Sequence, residues 1–185
     1  MGDERALVTV GHGTLEADVL ARLLRDAGVA HLVDVRAHPG SRRHPQFSKP
    51  ALEEWLPAAD VEYRWEPDLG GRRRTSPSSR NVALTNSSFR AYADYMETDT
   101  FTDALDRLVA GARSDRSAVM CAESLWWRCH RRLIADAVVL RRSFDVEHLF
   151  HDGKLVAHSP TPVARLEDDV LVYDDGAEPL GLESS

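Results

Sequence analysis

The chain has 185 residues, 43% of them hydrophobic and 29% charged, with a formal net charge of −7. That length and balance suit one globular domain and argue against wholesale disorder. No apolar run approaches the roughly 18 residues of a membrane-spanning helix, acids precede any apolar stretch at the N-terminus, and two cysteines make no disulfide framework, so the expectation is a cytoplasmic protein with reduced thiols and no membrane partner.

In chain order, Leu7–Val10 is an apolar strand that breaks at Gly11-His12-Gly13. Thr14 is placed to cap the following helix, with Glu16 and Asp18 in its first turn and Leu15, Val19, Leu20, Leu23 and Leu24 at helical spacing. Gly28 ends that helix, and His31–Arg36 forms a second strand, apolar until Asp34 and Arg36. Strand, helix and strand within about 30 residues predict parallel pairing. A proline-rich loop leads to a short helix after Pro50 and a short strand over Val61–Pro67. Asp68 to Ser88 reads as a long polar loop, a length that in a compact domain marks function or motion. Phe89–Ala112 is helical with a break near Glu97–Thr100. Ser117–Glu123 is a strand whose apolar part ends at Cys121, followed by a helix over Arg128–Arg142 and a strand over Phe144–Phe150. Asp152-Gly153 marks a hairpin.

Strands alternating with helices define the fold class: α/β, a mainly parallel sheet flanked by helices, with a C-terminal hairpin and an acidic tail. The domain reading is a single α/β domain over 1–164 and an acidic extension over 165–185, expected to be partly frayed. The extension holds Glu167, Asp168, Asp169, Asp174, Asp175, Glu178 and Glu183 against the single base Arg165, so nearly all of the net charge lies there. The body is close to neutral, and its arginines cluster at 36–80 and 128–132, which suits an anionic small-molecule ligand despite the overall charge.

In parallel α/β folds ligands gather at the carboxyl ends of the strands. His12 and Thr14, Asp34 and Arg36, and Cys121 and Glu123 all fall at that edge. Cys121 precedes a helix, a setting that favours thiolate. It reads either as a nucleophile, with Glu123 or His130 moving protons and Arg128 holding an anion, or as a buried structural cysteine. Cys129 and Arg131 flank His130 and join the substrate-binding set. A metal at Cys121, Cys129 and His130 is the less favoured reading, because their spacing fits no common zinc pattern, and the cofactor is left unknown. A redox disulfide between the two cysteines is sterically conceivable across the turn, and weaker still. Asp34 and Arg36 form either a structural clamp or a substrate fork. Ser41, Arg42, Gly70, Gly71 and Arg72 lie in loops suited to an anion.

The segments LVDVRAHPGSRRHPQFSKPALEEWL, VEYRWEPDLGGRRR and VMCAESLWWRCHRRLIADAV resemble the YeaO-like bacterial proteins, domain-of-unknown-function family four-eight-eight. The resemblance rests on the DVR, FSK, LGG-R and CAE…CHR motifs, runs from about position 7 to about 158, and implies no settled activity. A local likeness to rhodanese-type sulfurtransferases is confined to the DVR strand and the strand ending in cysteine.

Two functions remain open at this point. One is a cysteine-dependent enzyme acting on an anionic small molecule or sulfur-bearing group. The other is a nucleic-acid or nucleotide-binding module, with the arginine loops on phosphates and Trp65, Trp126 or Trp127 stacking on bases.

Overall fold

A computed structural model describes residues 5–176. Glu178 and Glu183 of the acidic extension, and the N-terminal acids Asp3 and Glu4, lie outside the described residues. The elements are β1 (Leu7–Gly11), α1 (Ala17–Asp26), β2 (His31–Asp34), α2 (Lys49–Ala58), β3 (Glu62–Trp65), α3 (Ser87–Tyr95), α4 (Asp99–Ser114), β4 (Ser117–Cys121), α5 (Arg131–Arg142), β5 (Val146–Leu149), β6 (Leu155–Ala157), β7 (Ala164–Glu167) and β8 (Val170–Tyr173).

A six-stranded sheet has the order β3-β2-β4-β1-β5-β6, parallel throughout except for the antiparallel edge strand β6. β1 and β4 are buried along their whole length, as strands covered on both faces must be. Period-two alternation splits them between two cores. Val8, Val10, Ala118 and Met120 pack with Leu20 and Leu24 of α1 and Leu52 and Leu56 of α2. Leu7, Val119 and Cys121 pack with α3, α4 and α5 on the opposite face. Each large aliphatic side chain so buried contributes about 1.5–3 kcal/mol of transfer free energy.

The path of the chain creates the crevice. β1 and β4 are neighbours, but β1 leads across to β2 and β4 leads the other way to β5. Adjacent strands whose chains depart in opposite directions leave an opening at their carboxyl ends.

Several local expectations are corrected. Thr14 does not cap α1. Leu15 N donates to His12 O at 3.0 Å across a turn in which Gly13 has φ +49°, so the helix starts later, with Glu16 at the N-cap and no side-chain cap. The 68–88 loop is shorter than expected, because Asn86 accepts from the amides of Ser88 and Phe89 and starts α3 at Ser87. The chain after Pro160 pairs β7 with β8 as an antiparallel hairpin. Leu171, Val172 and Tyr173 are buried, and Tyr173 joins the α5 core, so this stretch is ordered by packing despite its acids. No helix among the described residues is long and apolar enough to cross a membrane.

Candidate active site

A cavity of about 710 Å³ opens at the carboxyl edge of β1, β2 and β4. It lies within the range of small-molecule sites, roughly 300–1,000 Å³. Its walls come from segments far apart in sequence: His12 and Thr14 after β1, Arg36 after β2, Ser41 in the proline-rich loop, Gly71 and Arg72 before α3, and Cys121, Glu123, Arg128, Cys129 and His130 around the turn from β4 to α5. All of these belong to the sequence-predicted set. Asp34, Arg42, Gly70 and Arg131 do not line the cavity.

Three of those four build its frame. Asp34 is fully buried and accepts from Arg36 Nε at 2.8 Å and Nη2 at 2.6 Å. Arg36 Nη2 also donates to Phe47 O at 2.7 Å, and Tyr63 Oη donates to Asp34 Oδ2 at 2.8 Å. This is a structural clamp from the end of β2 to the proline-rich loop, with one face of Arg36 left to the cavity. Gly70 packs under Ala37, where a Cβ would stand 3.0 Å from its Cα. Arg131 is fully buried and donates through Nη2 to the carbonyls of Glu123 and Ser124, at 3.3 Å for the latter. A side chain at Gly11 would collide with the same Glu123 carbonyl, so the bare glycine lets the 122–128 turn cross β1. Arg131 pairs with no carboxylate and its Nε has no partner among the described residues. Arg42 is exposed outside the cavity.

At the floor of the cavity the two free cysteines meet. Cys121 Sγ lies 2.7 Å from Cys129 Sγ, and both residues are buried. His130, at the N-cap of α5, puts Nδ1 3.4 Å from Cys129 Sγ and Nε2 3.1 Å from Val35 O. A carbonyl can only accept, so Nε2 carries a proton and Nδ1 is the nitrogen that exchanges one with the thiol. The ring is wedged between Tyr92, 5.1 Å away between centroids, and Gly71. The two thiols are driven in opposite directions. Burial, then the bond to Cys129, pushes the Cys121 thiol well up. The hydrogen bond from Cys121 holds the Cys129 thiol well below its usual range, with His130 and Arg131 adding to it. Of the two, the surroundings favour thiolate at Cys129. Cys121 ends a buried strand, so burial opposes the thiolate expected there from the helix that follows.

The cavity also holds basic side chains that the sequence analysis did not single out. Arg43, His38 and His44 line it, together with Ser124, Phe89 and Tyr92. The side chains of Arg43, Arg72 and Arg128 make no hydrogen bond or ion pair with other described residues, and Arg72 is held at φ +63°. The run of arginines was the only signal for Arg43. His12 is kept neutral, its pKa lowered to about 4 by burial, and stacks on Phe47 at 4.4 Å. Glu123 Oε1 accepts from Leu125 N at 3.2 Å, which stabilises its own turn. Among the described residues no three His, Cys, Asp or Glu side chains are grouped to hold a metal ion.

The tryptophans expected as base-stacking platforms are otherwise engaged. Trp65 donates to Arg36 O at 2.9 Å and carries Lys49 over its ring. Trp126 lies parallel to His148 with centroids 3.9 Å apart, and Trp127 stands edge-on to Trp126, itself 43% exposed. Beneath Trp126 runs a buried polar chain that was not read from the sequence. Thr9 Oγ1 is 2.7 Å from His148 Nδ1, His148 Nε2 is 2.9 Å from His158 Nδ1, and His158 Nε2 is 2.9 Å from Asp136 Oδ1. Thr161 Oγ1 and Tyr173 Oη donate to Asp136 Oδ2 at 2.7 Å and 3.0 Å. The signal available was Asp136 itself, a lone acid among the apolar residues of α5.

The family model described as Domain of unknown function DUF488 matches residues 16–138. The chain belongs to this family. The matched span takes in the clamp at 34–36, Gly70–Arg72 and the whole turn from Cys121 to Arg131, while His12 and Thr14 lie just before it. The DUF488 resemblance carried by the sequence motifs is thereby borne out. No curated protein and no solved structure matches the chain.

Proposed function

We propose that this DUF488 chain is a thiol-dependent enzyme acting on an anionic small molecule or sulfur-bearing group, with Cys129 as the nucleophile. The observation that carries the reading is the Cys129–His130 pair at the cavity floor, its imidazole oriented by the Val35 carbonyl. A nucleophile, a base within reach and a third group fixing the base form the general pattern of an activated nucleophile. Cys121 donates its S–H to the thiolate, and the buried charge of Arg131 stabilises it from beneath. The side chains of Arg43, Arg72 and Arg128 have no other hydrogen-bond or ion-pair partner among the described residues, and they supply the forks that a carboxylate, sulfonate or phosphate takes. Glu123 stands at the rim for a further proton transfer.

The test is the pH profile of alkylation of each cysteine in the native protein by iodoacetamide, read by peptide mass spectrometry. Cys129 reacts with a midpoint well below the roughly 8.5 of a free thiol, Cys121 lags far behind, and inorganic phosphate slows the reaction. His130→Gln moves the Cys129 midpoint up. If Cys129 reacts only as fast as in the unfolded chain across the whole pH range, the thiolate reading is wrong.

A further inference from the structure

Two sulfurs at one cavity floor ask for more than a single nucleophile. We infer that Cys121 and Cys129 act as a dithiol that cycles to a disulfide, and that the cavity takes a small anionic disulfide, which it reduces. This rests on the reading of Cys129 as the attacking thiol.

The geometry is prepared for the second step. The sulfurs sit 2.7 Å apart and a disulfide needs about 2.05 Å, so closure asks for less than an ångström of movement. Both residues line the cavity, so a group bound there has both sulfurs within the same wall. The turn between them is fixed at both carbonyls held by Arg131 and by its crossing over Gly11. A thiol held this close competes with external thiols at a very high effective concentration. The cavity has room for organic groups on both sides of a disulfide, far more than a peroxide would fill, and the unpaired arginines at its walls fit anionic ends.

The steps balance. Cys129 passes its proton to His130 Nδ1 and attacks one sulfur of the substrate R–S–S–R. The S–S bond breaks, and the first leaving thiolate takes the proton from His130. Cys121 then attacks Cys129 Sγ in the mixed disulfide, expels the second thiolate, and its own proton ends on that product. Two thiols of the protein are oxidised and one disulfide is reduced to two thiols. An external dithiol reverses the oxidation and restores the reduced pair.

Glutathione disulfide is the probe, added to the reduced full-length chain, with acid quenching, intact mass and peptide mapping. The wild type is expected to lose two hydrogens, to join the Cys121 and Cys129 peptides and to release two glutathione molecules. Cys121→Ser is expected to stop with one glutathionyl group on Cys129, and its turnover with dithiothreitol as reductant falls by about a hundredfold. The wild type alone decides the matter if that variant misfolds. A glutathionyl adduct that persists on wild-type Cys129 overturns the dithiol, as does fast alkylation of Cys129 by iodoacetamide with no reaction toward glutathione disulfide. Both of those results leave the thiolate reading standing. Inertness of both cysteines to both reagents in the folded protein overturns the two together.

Discussion

The backbone of Gly71 lies against the imidazole of His130: a methyl group at position 71 would stand 3.2 Å from Nδ1 and 3.5 Å from Cε1. That spacing is tight enough to push the ring and loose enough to spare the fold. Gly71→Ala should therefore lengthen the 3.4 Å approach of His130 to Cys129 and slow Cys129 alkylation about three- to tenfold, where tenfold corresponds to about 1.4 kcal/mol. The urea midpoint should move by less than about 1 kcal/mol equivalent. An unchanged alkylation rate would detach His130 from the thiol's reactivity.

Stability should fall on mild acidification. Burial keeps His12 and His148 neutral in the fold, with pKa values lowered from 6.5 to about 4 and about 3. Their unfolded forms take up protons below about 6.5. Between there and about 4 the unfolded chain binds more protons, so the stability present above pH 6.5 is lost as pH drops, by at most about 1.4 kcal/mol per unit for each histidine. Urea midpoints measured from pH 7.5 to 4.5 give the slope, and His148→Gln should flatten it. A wild-type midpoint equal at pH 7 and pH 5 would contradict the assignment.

Asp136 concentrates risk. It is fully buried and takes hydrogen bonds from His158, Tyr173 and both the amide and hydroxyl of Thr161. Asp136→Ala leaves those donors facing an empty site and should cost about 3–5 kcal/mol. Tyr173→Phe removes one bond and should cost about 1 kcal/mol. Equilibrium unfolding followed by tryptophan fluorescence tests the ranking, because Trp126 rests on this network through His148.

The arginines divide into two classes that mutation can separate. Arg36→Ala strands the buried Asp34 carboxylate and should destabilise by about 3–5 kcal/mol. Arg72 sits at φ +63°, a conformation glycine adopts freely, so Arg72→Gly should be neutral or stabilising by up to about 1 kcal/mol. The same change should weaken phosphate protection of Cys129 severalfold. Full protection in Arg72→Gly would remove that side chain from the ligand site.

Much of the frame was legible in the sequence. The buried strands announced themselves as short apolar runs, and the polar residues ending them fell at one edge because parallel strands share a direction. Which of two thiols the surroundings favour as thiolate was not legible, since it depends on Cys121 ending a buried strand and on Cys129 lying near His130 and Arg131. The start of α1 was misread because a turn at Gly13 competes with the capping pattern at Thr14. The ordering of β7 and β8 was masked by surrounding acids, although Val170, Leu171, Val172 and Tyr173 form a strand by composition.

The partners of Asp136 all follow it in the chain: His158, Thr161 and Tyr173. During synthesis the helix bearing Asp136 emerges well before them, and it cannot seat that face without stranding a carboxylate in apolar surroundings. α5 carries Cys129 and His130 at its foot, so its docking fixes the cavity floor. The seating of α5, and with it the cavity floor, thus depends on residues 158–173, which lie well beyond the site in the chain.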